Sequence, residues 1–150
     1  MLAVLLLPEP FDALPDDHPA RDLQRADGVV AVDPPRMSYT THSRLPGEFA
    51  DALATLQARR LLRALGDKVG AVVLFDPRSY PLARGLLAIT NCELWYAQTE
   101  VGDAGSDRLQ RRLTALDEQA RERSTLRFTT TEPLWERMRE LEIDARVSRR

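Results

Sequence analysis

The chain has 150 residues, 43% of them hydrophobic and 29% charged, which is ordinary for one globular domain. Its net charge of −2 lacks the basic excess of a nucleic-acid-binding protein and gives no reason to expect an anionic membrane as a partner. One cysteine, Cys92, excludes a disulfide within the chain. One thiol and two histidines at scattered positions also offer too few ligands for a cysteine-based zinc site.

Strand-like and helix-like patterns alternate along the chain. In chain order they predict strand 2–7, helix 18–26, strand 29–32, helix 48–65, strand 71–75, helix 81–89, strand 93–97, helix 107–123, strand 126–130, a helix from Thr131 or Glu132, and a sixth strand at 145–148. Parallel strands need crossover helices, and those crossovers are right-handed. The alternation therefore predicts one Rossmann-like α/β domain over 1–150, with three α/β/α layers and a mainly parallel sheet of five or six strands.

The apolar start of the chain is short. Residues 1–7 are followed at once by Pro8, without the basic and small residues that flank a signal peptide. No stretch approaches the roughly 20 apolar residues of a membrane-spanning helix. These features predict a cytoplasmic protein with no membrane span.

The carboxyl ends of the predicted strands supply the candidate site residues. In open α/β sheets, ligands bind outside these ends, near the point where the strand order reverses. The candidates at these positions are Asp76 and Glu100 as catalytic carboxylates, and Arg36, Arg78, Thr99 and Thr130 as substrate-binding residues. His18, at the start of the first predicted helix, is a further substrate-binding candidate.

Each candidate also has a plainer interpretation. Asp76 and Arg78 could orient a hydroxyl or a phosphate, or could simply form a turn around Pro77. His18 could bind an anionic or sugar-like group, act as a general base, or be an exposed residue at a helix start. Glu100 could transfer a proton or be a loop charge.

Two familiar classes of α/β protein are excluded by their missing residues. The loop at 8–15 contains no glycine, so the first strand lacks the turn that cradles a dinucleotide pyrophosphate. A phosphorelay receiver would match Asp76 and Thr99, but it also needs a lysine after the fifth strand, where residues 129–133 have none. No bound cofactor and no metal are predicted.

From 28 to 148, the chain resembles the N-terminal half of glycosyltransferases of the GT-B fold, which transfer sugar from a nucleotide sugar. The resemblance rests on the strand and proline-rich end at 29–36, on 72–83 with its Phe-Asp-Pro strand end, on 93–100, and on the helix, strand and helix at 116–138. The family's Tyr-Asp-x-x-Asp-like strand end corresponds to Tyr96-Ala97-Gln98-Thr99-Glu100, which keeps only the last acid, as glutamate.

The resemblance implies a role on the acceptor side of sugar transfer. In the family this half mainly holds the acceptor, while the C-terminal half supplies most contacts to the donor, and residue 150 falls about where that half would begin. We therefore expect a domain that binds a sugar or small-molecule acceptor. It would either act with a separate donor-binding chain or serve as a binding module, and would not be a complete enzyme alone.

A second hypothesis is a non-catalytic structural or regulatory protein on the same scaffold. Such a protein would use an exposed apolar surface, with Trp135 and the apolar face of 48–65 as candidates, and would form a homo-oligomer such as a dimer.

Overall fold

The computed structural model describes residues 1–34, 47–66, 68–97 and 105–141. Within them a five-stranded parallel sheet contains β1 (Leu2–Leu6), β2 (Val29–Val32), β3 (Val69–Leu74), β4 (Glu93–Ala97) and β5 (Leu126–Phe128). The α-helices are α1 (Pro19–Leu23), α2 (Gly47–Leu65), α3 (Tyr80–Thr90), α4 (Asp107–Arg123) and α5 (Glu132–Glu140). The predicted three-layer α/β fold with a parallel sheet is confirmed; the sixth strand predicted at 145–148 lies outside the described residues.

The strand order is β2-β1-β3-β4-β5. β1 pairs with β2 on one side and with β3 on the other, so the chain winds first one way from β1 and then the other. This is one of the common orders of doubly wound sheets, and its switch point lies between the carboxyl ends of β1 and β3.

The predicted bounds of β5 are wrong at its carboxyl end. The strand stops at Phe128, which pairs with Ala97, the last residue of β4. Thr129 and Thr130 were predicted inside the strand, but they form an exposed bend after it. Phe128 is the last buried side chain of the strand, and the two polar threonines after it are exposed to solvent.

The sheet separates two apolar clusters because successive side chains of a strand point to opposite faces. One cluster joins Val4, Val72 and Leu94 to helices α2, α3 and α4. The other joins Leu5 and Val73 to α1 and α5. Helices therefore cover both faces, as the nearly continuous apolar runs of β1 and β3 require.

Helices α2 and α3 approach each other closely at Gly85. A Cβ atom placed there would lie 3.1 Å from Ala58 Cβ and 3.2 Å from Ala54 O. Ala50, Ala54 and Ala58 are all buried and form the facing surface of α2. Small residues on both helices thus set their separation.

A charged contact holds α5 at the amino ends of the strands. The Arg137 guanidinium donates to both Glu93 carboxylate oxygens, with Nη2 2.8 Å and Nε 3.1 Å from Oε1 and Nε 3.2 Å from Oε2. Thr125 donates its hydroxyl to the same carboxylate at 3.0 Å. These contacts tie α5 and the start of β5 to the amino end of β4.

No helix among the described residues is both long and apolar enough to cross a membrane.

Candidate functional site

The loop between β1 and α1 borders the switch point and is braced by one arginine. Arg21 Nη2 donates to the carbonyl oxygens of Leu14 at 2.6 Å and Phe11 at 3.2 Å, and its Nε donates to Pro15 O at 3.0 Å. The guanidinium also lies 5.0 Å from the centre of the Phe11 ring. These contacts explain how a loop without glycine keeps a defined shape next to the sheet.

Asp33 ties this loop to the carboxyl end of β2. Its Oδ1 accepts a hydrogen bond from the Phe11 backbone N–H at 3.0 Å. This contact gives Asp33 a structural role at the edge of the sheet. Arg36, predicted as a substrate-binding residue, lies outside the described residues.

His18 caps the first turn of α1 and also reaches the end of β3. Its Nδ1 accepts a hydrogen bond from the Ala20 N–H at 3.1 Å. Its ring meets the Phe75 ring edge-on, with centroids 5.0 Å apart and planes at 64°. The two loops that flank the switch point are thereby joined.

The chemistry of His18 follows from this cap. Partial burial lowers the pKa of the imidazole, while the carboxylates of Asp17 and Glu9 oppose that shift. Since Nδ1 accepts a hydrogen bond, the neutral ring carries its proton on Nε2. Nε2 is then a hydrogen-bond donor, and action as a general base would require the other tautomer and loss of the cap.

Asp76 and Arg78 form a compact unit after β3. Asp76 caps the 3-10 helix Pro77–Ser79, with Oδ1 accepting from the Arg78 N–H at 2.8 Å. Its Oδ2 lies 3.4 Å from Arg78 Nη1, and the two side chains are 24% and 34% exposed. The predicted turn is therefore present, and it also holds the guanidinium beside the switch point where a ligand could reach it.

An aromatic pair continues the edge toward β5. The Phe75 and Phe128 rings meet at right angles with centroids 6.1 Å apart. Thr130 is exposed just after β5. Thr130 follows β5 and Asp76 follows β3, so both lie at the carboxyl edge of the sheet. Since β4 lies between these two strands, the strand ends are about 10 Å apart. Thr99 and Glu100 lie outside the described residues.

Sequence reasoning missed a buried polar contact beneath this edge. Tyr96 of β4 donates its hydroxyl to Asp117 Oδ1 at 2.7 Å, and Arg121 Nε lies 3.0 Å from Asp117 Oδ2. Burial, followed by the hydrogen bond to Asp117, raises the pKa of the Tyr96 phenol. Asp117 lies on the buried side of α4 with Leu113 and Leu116. An acid at an otherwise apolar face of a helix could have predicted that Asp117 has a buried polar partner.

The surface around the β1–α1 loop is acidic. Between residues 9 and 33 the chain has two arginines and seven exposed acids. Four of these acids, Glu9, Asp12, Asp16 and Asp17, lie in the loop itself, and Asp33 is bonded to the loop from the end of β2. The field of these five acids repels anions and attracts cations near one side of the switch point.

A concavity of about 600 Å³ lies at the opposite, amino edge of the sheet, where Cys92 and Lys68 are among its lining residues. Burial raises the pKa of the Cys92 thiol, so it stays protonated and poorly nucleophilic at neutral pH. Glu93 also borders this space, but its carboxylate is bound by Arg137 and Thr125. The thiol is thus poorly reactive and the carboxylate is engaged, so the carboxyl edge is the better candidate site.

Trp135 was a candidate contact for self-association. It is half-buried, because its ring packs against the cluster that α5 shares with the sheet. Its use in a dimer remains a prediction.

Among the described residues, no three His, Cys, Asp or Glu side chains are grouped to hold a metal ion. The described residues form a doubly wound α/β protein. Polar and aromatic side chains lie at its switch point, and Arg21 holds the adjoining loop in place. Comparison with protein-family models, curated proteins and solved structures finds no match to the chain. The class of protein therefore rests on the topology, and the functional argument on the residues at that edge.

Proposed function

We propose that this protein is an acceptor-binding domain of the glycosyltransferase type. The observation that supports the proposal is that the His18–Phe75 ring contact and the Asp76–Arg78 ion pair both lie at the end of β3, beside the switch point. Ligand sites of open α/β sheets occur at this position. Phe75 is buried and supports the edge from beneath. The hydroxyl groups of a sugar could accept hydrogen bonds from the Arg78 guanidinium and the His18 ring.

The residues have distinct roles in this proposal. Asp76 positions the loop and the Arg78 side chain, while Arg78 and the Nε2–H of His18 donate hydrogen bonds to acceptor oxygens. Glu100, the third residue after β4, is the proposed base for the acceptor hydroxyl. Thr99, Thr130 and Arg36 would add further polar contacts.

The charge of the surroundings favours an uncharged acceptor. Five exposed acids, four in the β1–α1 loop and Asp33 bonded to it, would disfavour a phosphorylated or carboxylated molecule near that loop. A neutral saccharide or another hydroxyl compound is the acceptor class we propose. The nucleotide-sugar donor would be bound by a separate chain, or the domain would act as a binding module without transfer.

The test is calorimetric titration of the full chain with neutral saccharides, sugar phosphates and a nucleotide sugar. We expect a neutral saccharide to bind, and Arg78→Gln to weaken that binding at least about tenfold, since it removes a charged donor. Arg139→Gln, an exposed change on α5, is the matched control and should bind as the parent does.

Two results would count against the proposal. If no saccharide binds, or if Arg139→Gln weakens binding as much as Arg78→Gln, the edge is not an acceptor site. If the chain binds the nucleotide sugar alone and tightly, the assignment of the donor to another chain is wrong.

A further inference from the structure

Helix α2 exposes apolar side chains on the face that points away from the core. Phe49 is 66% and Leu56 46% exposed, although the inward face of the same helix buries Ala50, Ala54 and Ala58. Positions three, four and seven apart share one face of a helix. The two large side chains therefore belong to one outward stripe, with exposed Ala52 between them.

The same stripe continues as a basic surface. Arg59, Arg60 and Arg63 are exposed and follow Leu56 at helical spacing. Residues 52–65 contain no aspartate or glutamate. Of the two acids earlier in α2, Asp51 is bonded to Arg84 of α3, and Glu48 is exposed in the first turn. The exposed side of α2 thus combines apolar side chains with three arginines and one glutamate, which leaves an excess of positive charge.

We propose that the outward face of α2 docks on an anionic lipid bilayer. This face is a convex helix surface, which fits a broad flat partner. Phenylalanine and leucine on an amphipathic helix enter the boundary between headgroups and acyl chains, while arginines reach the lipid phosphates. Each arginine near an anionic surface adds attraction that depends on salt.

The distribution of charge would also orient the docked protein. The exposed acids Asp16, Asp17 and Asp22 lie beside or within α1, which packs on the opposite face of the sheet from α2. An anionic surface repels that side and attracts the α2 side. The overall charge of −2 conceals this asymmetry, because seven acids are concentrated in residues 9–33.

The experiment is co-sedimentation of the full chain with phosphatidylcholine vesicles, with and without phosphatidylglycerol. We expect binding to the anionic vesicles that weakens as salt is raised. Arg59→Gln, Arg60→Gln and Arg63→Gln together should weaken it about tenfold or more, and Phe49→Ser with Leu56→Ser should also weaken it. All five positions are exposed, so circular dichroism should show an unchanged fold.

The matched control removes three exposed arginines elsewhere, with Arg25→Gln, Arg127→Gln and Arg139→Gln. This variant should bind the anionic vesicles as the parent does. The proposal is overturned if the parent chain does not sediment with anionic vesicles, or if the control loses as much binding as the α2 variants. It is also overturned if Phe49→Ser with Leu56→Ser dissolves a dimer seen by light scattering and leaves vesicle binding unchanged, because a second copy would then cover the face.

Discussion

The His18 ring lies edge-on to the Phe75 ring, with centroids 5.0 Å apart, and this contact joins the loop after β1 to the end of β3. The same imidazole caps α1 through Nδ1. One side chain therefore couples a helix start, an aromatic cluster and the switch point of the sheet. Protonation of Nδ1 would remove its acceptor lone pair and so break the cap of α1.

The first prediction concerns this protonation. Burial lowers the pKa of folded His18, whereas the unfolded chain titrates near the usual value of about 6.5. Below that value the unfolded state binds more protons, so the stabilising contribution of neutral His18 is lost as pH falls toward the folded pKa. His18→Asn keeps a capping side chain without an imidazole. We expect urea unfolding of this variant to show a smaller loss of stability between about pH 7 and pH 5 than the parent.

Proton-detected NMR titration supplies the direct check. A His18 pKa at or above its usual value, or an equal loss of stability in His18→Asn, would contradict the assignment.

The second prediction separates the structural role of Asp76 from its charge. Its Oδ1 caps the Arg78 N–H at 2.8 Å. Asp76→Ala removes the cap and should lower the free energy of unfolding by about 0.5–2 kcal/mol. Asp76→Asn retains an oxygen acceptor and should cost less. Urea denaturation of the two variants measures the difference, and equal losses would show that the charge, and not the cap, stabilises the loop.

The sheet could be predicted from the sequence because its strands are marked so clearly. No helix contains an uninterrupted apolar run as long as those at 2–7 and 71–75. Gly66 precedes β3, and the turn at Asp76-Pro77 follows it. The helix predicted at 81–89 is observed at Tyr80–Thr90, and the turn predicted around Pro77 is the 3-10 helix Pro77–Ser79 directly before it. Local patterns determine these elements with little help from distant contacts.

The contacts at the site could not be predicted in the same way. His18 and Phe75 are far apart in sequence, and their meeting depends on the order of β1 and β3 in the sheet. The bracing of Arg21 on three carbonyl oxygens depends on the path of the loop, which no residue pattern specifies. The sequence predicts which residues follow each strand. It does not predict which of their side chains accept backbone hydrogen bonds as caps, because that depends on the backbone geometry of each loop.

The third prediction tests the buried hydroxyl of Tyr96. Its hydrogen bond to Asp117 Oδ1 is 2.7 Å long, and Asp117 is only 8% exposed. Tyr96→Phe leaves a buried carboxylate oxygen without this donor, so we expect a loss of about 1–3 kcal/mol in the free energy of unfolding. Guanidinium denaturation measures it.

Tyr80→Phe is the matched control for that change. Tyr80 is also buried, but its ring contact is with Arg84, 5.8 Å from the ring centre, and does not need the hydroxyl. Its loss should be clearly smaller. Equal losses from the two substitutions would mean that the Tyr96–Asp117 contact adds no specific stability.

The fourth prediction concerns the packing of α2 against α3. At Gly85 even a Cβ would lie 3.1 Å from Ala58 Cβ and 3.2 Å from the Ala54 carbonyl oxygen. Gly85→Val adds two further methyl groups and must push the helices apart, so we expect destabilisation by about 1–3 kcal/mol. Ala88→Val, on the exposed side of the same helix, introduces the same residue without the clash and should cost well under about 1 kcal/mol. Thermal unfolding of both variants decides the matter: a Gly85→Val protein as stable as Ala88→Val would show that the two helices tolerate a wider separation.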